Sequence, residues 1–188
     1  MNRTFNKYII ICKYLIILLL NSVLICEEII YDFSGKTNLE NWYVVDDDVM
    51  GGRSNGKLFL EDGNVGVFTG YISLKNYGGF SSIRYDVGEY FINDNNYIII
   101  IVKGDNKYYQ IRVRSSYYDR YVYTKKVFVK DEWQEISISL ESLEPFFRGN
   151  RLRRKNFNKN KICEIGFLIG NKIEENFKLK IKSISLNK

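Results

Sequence analysis

Apolar and polar residues alternate with a period of two along much of this chain. Between Tyr108 and Arg114, positions 109, 111 and 113 are apolar, whereas positions 110, 112 and 114 are Gln, Arg and Arg. The same alternation returns near the C-terminus, where lysines separate Phe177, Leu179 and Ile181. Successive side chains of a β-strand point to opposite faces, so these segments are predicted to be strands with one buried face.

The chain divides into short strand-like segments separated by Gly, Asn and Asp, which favour tight turns and antiparallel pairing. The ten predicted strands are Glu28–Phe33, Lys57–Leu60, Val65–Leu74, Phe80–Val87, Tyr97–Lys103, Tyr108–Arg114, Tyr121–Val129, Trp133–Leu140, Ile162–Ile169 and Phe177–Leu186. The run Tyr97–Val102 is apolar without alternation, which predicts a central strand covered on both faces. Only Leu140–Phe147 and the basic segment after it are predicted to be irregular or briefly helical. This many short strands indicate an all-β sandwich.

Composition supports strands over helices. The chain has 15 Tyr, 12 Phe, a single Pro and no His among its 188 residues, and aromatic and β-branched residues are enriched in strands. Residues 27–188 are long enough for one domain with a full core and too short for two.

Residues 1–26 have the layout of a secretory signal. Arg3, Lys7 and Lys13 precede an apolar run from Tyr14 to Leu20, as in signal peptides. An uncleaved membrane anchor beginning at residue 8 is the alternative. A mitochondrial presequence fits less well, because such segments are amphipathic and rich in Arg. The expected location is therefore exported, in the periplasm or cell envelope with or without a membrane anchor, and mitochondria are the alternative.

Two cysteines fall in or next to this segment. Cys26 is a candidate lipidation site at a new N-terminus, although the preceding Ile25 is larger than lipoprotein cleavage sites prefer. Cys163 is then the only cysteine of the mature domain, within the apolar run Ile162–Ile169. It is predicted to be a core residue and not a nucleophile, because the chain has no His to activate it.

Positive charge is concentrated in one segment of the chain. The formal net charge is +6, and removing the three basic residues of the first segment leaves about +3. Seven Arg and Lys residues, and no acid, lie between Arg148 and Lys161. This segment is predicted either to be a solvated loop or to contact an anionic lipid, a polysaccharide or a protein. The export signal argues against nucleic acid as a partner.

Most enzyme classes are disfavoured by missing residue types. Without His, no Ser-His-Asp or Cys-His arrangement can form, and no phosphate-binding Gly-rich loop or zinc-type Cys pair is present. The neighbouring Asp46, Asp47 and Asp48 point to alternate sides of an extended chain, so they do not form a converging glycosidase pair. No cofactor is expected, although these carboxylates beside two glycines leave calcium open.

A recognisable series of blocks starts at Trp42-Tyr43-Val44-Val45-Asp46-Asp47-Asp48-Val49-Met50-Gly51-Gly52-Arg53-Ser54. It continues with Phe68-Thr69-Gly70, Ser73-Leu74, Tyr77-Gly78-Gly79-Phe80-Ser81-Ser82, Val102-Lys103-Gly104-Asp105, Tyr109, Trp133, Phe146-Phe147-Arg148-Gly149 and Ile165-Gly166. In this order the blocks resemble the complex I intermediate-associated protein 30 family over residues 28–186. The motif positions are Trp42, Asp46, Met50, Gly51, Gly52, Ser54, Gly78, Gly79, Phe80, Gly104, Trp133, Phe147 and Gly149.

The resemblance implies a galactose-binding-like jelly-roll β-sandwich. Mitochondrial members of the family are associated with assembly of NADH:ubiquinone oxidoreductase, as chaperone-like factors for membrane-arm intermediates. This chain departs from them by its export-like N-terminus and resembles the bacterial members. The predicted function is a non-catalytic binding or assembly module for a membrane or envelope complex, and the alternative is a carbohydrate-binding module. Membrane association would use the N-terminus or the basic segment 148–161.

Candidate binding residues are polar groups on strand faces or beside the Gly51-Gly52 turn. Arginine offers planar, bidentate donors to carboxylate, phosphate or sugar hydroxyl groups. The large apolar residues Trp42, Met50 and Trp133 are predicted to be core. The predicted binding residues are Asp48, Arg53, Arg84, Tyr108, Arg112 and Arg114.

Overall fold

The computed structural model describes residues 27–36, 38–62, 64–93 and 96–188, with the backbone alone at residues 49 and 50. The predicted targeting segment 1–26 and its lipidation candidate Cys26 lie outside these residues, as does the side chain of Met50. No helix in the described ranges combines the length and apolar character needed to cross a membrane.

Within the described residues, thirteen strands form two antiparallel sheets. The six-stranded sheet has the order β3-β4-β13-β6-β9, with β1 also paired to β13. Its strands are β1 (Glu28–Asp32), β3 (Asn55–Glu61), β4 (Val65–Ile72), β6 (Tyr97–Lys103), β9 (Gln134–Ser139) and β13 (Glu175–Asn187).

The second sheet has seven strands in the order β11-β10-β8-β7-β12-β5-β2. These strands are β2 (Trp42–Asp46), β5 (Ser81–Phe91), β7 (Lys107–Arg114), β8 (Val122–Val129), β10 (Glu144–Phe147), β11 (Asn150–Arg151) and β12 (Lys161–Ile169). Short 3₁₀ turns at Asp47–Met50, Lys75–Tyr77 and Leu140–Ser142 join some of them.

All ten predicted strands are present, and three further strands were not predicted. The prediction of irregular structure for Leu140–Phe147 is wrong for Glu144–Phe147, which is β10. Pro145 and the strand's length of four residues hide the alternation there. Trp42–Asp46 was not assigned to any strand because Val44, Val45 and Tyr43 give no period-two pattern.

The core lies between the two sheets and is built from the apolar positions of the alternating strands. On the seven-stranded sheet, Ile111, Val113 and Ile165 are buried, and Leu179 and Ile181 of β13 are buried on the other. The alternation at β7 and β13 therefore assigned their faces correctly.

An aromatic cluster of Tyr31, Phe33, Trp42 and Tyr85 closes one part of the core, with ring centroids 4.7–5.4 Å apart. Trp42 is therefore packed against the core, as predicted. Trp133 is not a core residue: it is 39% exposed, and the Lys182 ammonium lies 4.4 Å from its ring centroid.

The structure also confirms the predicted burial of the apolar strand β6 and of Cys163. Ile98, Ile99 and Ile100 of β6 are all buried, in agreement with a strand covered on both faces. Cys163 is 1% exposed, and its burial raises the pKa of the thiol to about 11. A thiol with this pKa is overwhelmingly protonated at neutral pH and packs as a small apolar group.

Candidate functional site

The outer face of the seven-stranded sheet carries an aligned row of polar positions. The strand registers place the following residues side by side across six strands: Tyr43, Arg84, Gly166, Arg112, Thr124 and Glu144. Because Ile83, Ile111 and Ile165 point into the core, their neighbours along each strand must point outward. The alternation that buries the isoleucines therefore aims Arg84 and Arg112 away from the core.

These outward residues form the floor of an open groove with a volume of about 490 Å³. Arg84, Arg112 and Arg114 lie in it together with Gln110 and Thr124. None of the described residues that line the groove is Asp or Glu. The groove is therefore strongly basic, with side-chain amide and hydroxyl groups between the arginines.

Two loops border the groove. The segment 77–80 contributes Tyr77, which is 99% exposed, and Phe80. The β10–β11 hairpin contributes Phe147 and Arg148. Aromatic rings thus stand on both borders of an arginine-rich floor.

The turn of that hairpin explains the Phe147-Arg148-Gly149 block. Arg148 has φ +47° and Gly149 has φ +78°, and Phe147 pairs with Asn150. Positive φ at both central residues is the type I′ arrangement that suits a two-residue hairpin, and Gly adopts it at little cost. The Arg148 guanidinium lies 5.4 Å from the Phe147 ring centroid.

The loop that bears Tyr77 is held by the buried carboxylate of Asp47. Oδ2 of Asp47 accepts hydrogen bonds from the Gly79 N–H (2.5 Å), the Phe80 N–H (3.2 Å) and the Ser54 hydroxyl (2.5 Å). Oδ1 accepts the Ser54 N–H at 3.0 Å. One side chain therefore joins the turn after β2 to the loop before β5.

The surrounding glycines leave room for this carboxylate. A Cβ added to Gly52 would lie 2.1 Å from Asp47 Oδ1, and one added to Gly78 would lie 2.6 Å from Oδ2. Burial acts to raise the pKa of Asp47, but hydrogen bonds from Ser54, Gly79 and Phe80 outweigh it and hold the pKa below its usual value. Much of the Gly51-Gly52-Arg53-Ser54 block thus serves to surround the buried Asp47 carboxylate, by leaving space for it and donating hydrogen bonds to it.

Glu164 is a buried carboxylate beside Arg114, and both of its oxygens are already engaged. It is buried, accepts a hydrogen bond from the Tyr43 hydroxyl, and has Oε1 3.5 Å from Arg114 Nε. Burial, and then the bond to Glu164, raise the pKa of the Tyr43 hydroxyl to about 12. Glu164 therefore balances Arg114.

The six predicted binding residues do not all lie together. Arg84, Arg112 and Arg114 meet in the groove. Tyr108 packs against Phe128 with centroids 5.2 Å apart, under the Lys126 ammonium and outside the groove.

Asp48 and Arg53 are exposed and do not line the groove either. Sequence reasoning missed Asp47, because nothing in three consecutive aspartates identifies the buried one. It also missed Gln110, although Gln110 alternates with Arg112 and Arg114 and shares their face.

The aspartates beside the turn have separate partners. Asp46 Oδ2 accepts the Gly56 N–H at 3.0 Å, whereas Asp47 holds Ser54 and the 79–80 backbone. Within the described ranges there is no group of three or more acidic or cysteine side chains placed to hold a metal ion. Calcium binding stays a prediction that these contacts do not favour.

Several basic residues of segment 148–161 have partners within the domain. Arg151 pairs with Glu144 at 3.0 Å, and Lys161 pairs with Glu89 at 2.5 Å. Arg154 stacks 5.1 Å from the Tyr121 ring centroid. Within this segment, Arg148 is the basic residue that lines the groove.

Comparison with known protein families identifies the chain. The family model "Complex I intermediate-associated protein 30" matches residues 31–181. The chain therefore belongs to this family, as its motif blocks indicate.

Solved structures with the same fold include several carbohydrate-binding modules. A family 11 module from Clostridium thermocellum, solved with a β-1,3-1,4-mixed-linked tetrasaccharide, is 15% identical with a TM-score of 0.65, covering 85% of this chain and 94% of the module. A family 29 module is 13% identical with a TM-score of 0.52, covering 88% and 90%. An agarase, AgWH50C, is 11% identical with a TM-score of 0.58, covering 86% of this chain and 24% of the agarase. The chain is thus an all-β jelly-roll sandwich of the galactose-binding-like type.

Proposed function

We propose that this member of the complex I intermediate-associated protein 30 family is a non-catalytic binding module that holds an oligosaccharide in the groove of its seven-stranded sheet. The observation that carries the proposal is the groove itself, with its volume of about 490 Å³ and its lining of aromatic rings, guanidinium groups, an amide and a hydroxyl. Ligand sites typically measure about 300–1,000 Å³ and combine apolar surface with a few placed polar groups.

Two kinds of group in the groove suit a sugar chain. The rings of Tyr77 and Phe147 offer flat surfaces against which the C–H face of a sugar ring can pack. Gln110 and Thr124 supply hydrogen-bond donors and acceptors for hydroxyl groups between those rings. One module with this fold was solved with a tetrasaccharide, so the architecture is compatible with a glycan ligand.

The lining of the groove argues for binding without catalysis. Glycoside hydrolysis normally needs two carboxyl groups flanking the scissile bond, and the described residues of the groove contribute none. The nearby Glu164 is buried and engaged by Tyr43 and Arg114. The chain also has no His to serve as a base.

A second candidate function is protein binding during assembly of a membrane or envelope complex. The family match favours it, because the family is described as complex I intermediate-associated. On this reading the chain acts in a chaperone-like manner. Gentle crosslinking of the native protein, followed by mass spectrometry, should then recover subunits of one complex reproducibly; a chain recovered free would contradict this reading.

Export to the periplasm or cell envelope is part of the proposal, since it brings the chain to extracellular glycans. Cell fractionation with the intact mass of the N-terminus tests it. A mature chain starting near residue 27, or at a lipidated Cys26, supports export. An uncleaved chain in the cytoplasm, or one in mitochondria, would favour the assembly function.

Two exposed tyrosines provide a matched test of glycan binding. Tyr77 borders the groove and is 99% exposed, whereas Tyr118 is 96% exposed and does not line it. Binding of the full chain to soluble neutral and acidic polysaccharides is measured by affinity electrophoresis. Tyr77→Ala should weaken binding of any retained glycan by roughly 2–13-fold, because a stacked ring contributes about 0.5–1.5 kcal/mol. Tyr118→Ala should leave it unchanged.

The proposal is overturned if no polysaccharide in the panel retards the protein. Equal losses of binding for Tyr77→Ala and Tyr118→Ala would show that the glycan does not bind in the groove.

A further inference from the structure

We infer that the groove selects an anionic glycan, one whose sugar units carry carboxylate or sulfate groups, over a neutral glycan. This inference rests on the proposed function and adds the class of ligand. Its evidence is the charge of the groove, which the fold alone does not dictate.

The arginines at the centre of the groove are aligned by strand pairing. Gly166 of β12 lies opposite Arg84 on one side and opposite Arg112 on the other. Strands lie about 4.8 Å apart, so the two arginine backbones are separated by roughly 10 Å. Gly166 contributes no side chain between them, and a Cβ at this position would lie 2.3 Å from the Ile83 carbonyl oxygen. The sheet thus places Arg84 and Arg112 on either side of Gly166, a position without a side chain.

Most of the arginines in the groove lack a balancing carboxylate. Arg84, Arg112, Arg120 and Arg148 line the groove, and none of them forms a salt bridge with any residue in the described ranges. Arg114 has Glu164 as its partner. Four unbalanced guanidinium groups around one depression attract anions and repel cations.

The electrostatic cost of placing these arginines together is clearest at Arg112, which is half-buried in the middle of the row. Burial lowers the pKa of its guanidinium to about 10, and Arg84 and Arg114 act in the same direction while Glu164 opposes them. The group still carries its charge at neutral pH. Placing a charge where water is partly excluded is unfavourable unless a counter-charge is supplied, and an anionic ligand would supply it.

Guanidinium groups match carboxylate and sulfate groups in shape as well as charge. The planar fork of Arg donates two parallel hydrogen bonds to two oxygens of one acidic group. A neutral sugar offers only hydroxyl groups, which gain less from a full positive charge. The spacing across the row suits a ligand that carries several acidic groups.

An acidic peptide is the competing occupant. Extended peptides are commonly bound along a sheet edge, where unpaired backbone groups add a strand. Arg84 and Arg112 lie on β5 and β7, which are paired on both sides within the sheet. At these two described strands the groove therefore offers side chains and no free backbone edge, and this favours a ligand recognised through its own side groups.

Matched ligand pairs test the inference on the full chain. Dextran sulfate is compared with dextran, and polygalacturonate with its methyl ester, so that only the charge differs within each pair; polyglutamate represents an acidic peptide. Binding to an anionic member should exceed binding to its neutral counterpart at least tenfold and should weaken as salt is raised. A difference within the dextran pair indicates recognition of sulfate, and a difference within the polygalacturonate pair indicates recognition of carboxylate.

Charge-removing variants locate the binding. Arg112→Gln and Arg148→Gln should each weaken the anionic interaction about tenfold, whereas Arg53→Gln, at an exposed site outside the groove, should change it less than twofold. The rim position of Arg148 keeps the test usable if Arg112→Gln fails to fold. Equal losses for Arg53→Gln and the groove variants would refute the inference.

The outcomes separate the inference from the proposal it rests on. Equal binding within both pairs, dextran with dextran sulfate and polygalacturonate with its ester, leaves glycan binding intact and overturns charge selection. Retention by polyglutamate alone overturns both and points to a protein partner. No retention by any of the five polymers also overturns both.

Discussion

Removing the Asp47 carboxylate should destabilise the whole domain. In Asp47→Ala, four hydrogen bonds are lost, from the Ser54 N–H and hydroxyl and from the Gly79 and Phe80 N–H groups. Hydrogen bonds to a charged group contribute about 1.5–3 kcal/mol each before water replaces the lost acceptor. Since the 79–80 segment is only partly buried, water recovers part of this, and we expect a loss of about 3–4 kcal/mol.

Urea unfolding followed by tyrosine and tryptophan fluorescence measures this loss. With an m-value of about 2 kcal/mol/M for a domain of this size, the midpoint should fall by roughly 1.5–2 M without a change in m. Asp131→Ala is the control, because the Asp131 side chain is 63% exposed and its ion pair is with Lys103 at 3.2 Å. A surface pair of this kind is worth about 0–1 kcal/mol.

The same variant should change the response to acid. The pKa of Asp47 is lowered in the folded chain, so its charge contributes stability that is complete above the unfolded pKa of about 3.9 and is lost as pH falls through the folded pKa. The stability difference between wild type and Asp47→Ala should therefore shrink below about pH 4. A pH-independent difference, or a loss below 1 kcal/mol at pH 7, would refute the assigned role of Asp47.

Three further predictions follow from single side chains. Tyr109→Phe should lower the unfolding free energy by about 1–1.5 kcal/mol in the same urea assay, because the buried Tyr109 hydroxyl donates to Asp105 Oδ1 at 2.9 Å; no change would mean that the bond is replaced at no cost. Cys163 should resist iodoacetamide at pH 8 in the folded chain and react on unfolding, since burial raises its pKa to about 11; rapid labelling of native protein, read by mass spectrometry, would contradict its burial. Gly149→Ala should cost about 1–2 kcal/mol, because φ there is +78°, and an unchanged urea midpoint would show that the hairpin adopts another turn.

The strands and their faces could be predicted from the sequence because both depend on local pattern. The period-two alternation predicted strands at Tyr108–Arg114 and Phe177–Leu186 together with their buried sides, and the structure has them within β7 and β13. The outward direction of Arg112 and Arg114 followed from the same pattern. The motif blocks identified the family and, through it, the jelly-roll sandwich.

Pairing across the sheet decided what those outward residues become. Arg84, Arg112 and Arg148 come from three separate strand and turn segments, and only the order β10-β8-β7-β12-β5 gathers them around one groove. The same alternation places Tyr108 on a polar face, yet its position at the end of β7 leaves it outside that groove. Strand order is set by long-range packing, which no local window of sequence contains.

The Asp46-Asp47-Asp48 run marks the same limit most sharply. By itself the sequence determined that three acidic residues and, soon after them, two glycines follow Val45, because residue type and spacing are local properties. Only the tertiary structure decided that Asp47 is buried while Asp48 is exposed. The physical reason is that the donors of Asp47 belong to Ser54, Gly79 and Phe80, which are brought to it by the pairing of β2 with β5 and the packing of the loops beside it.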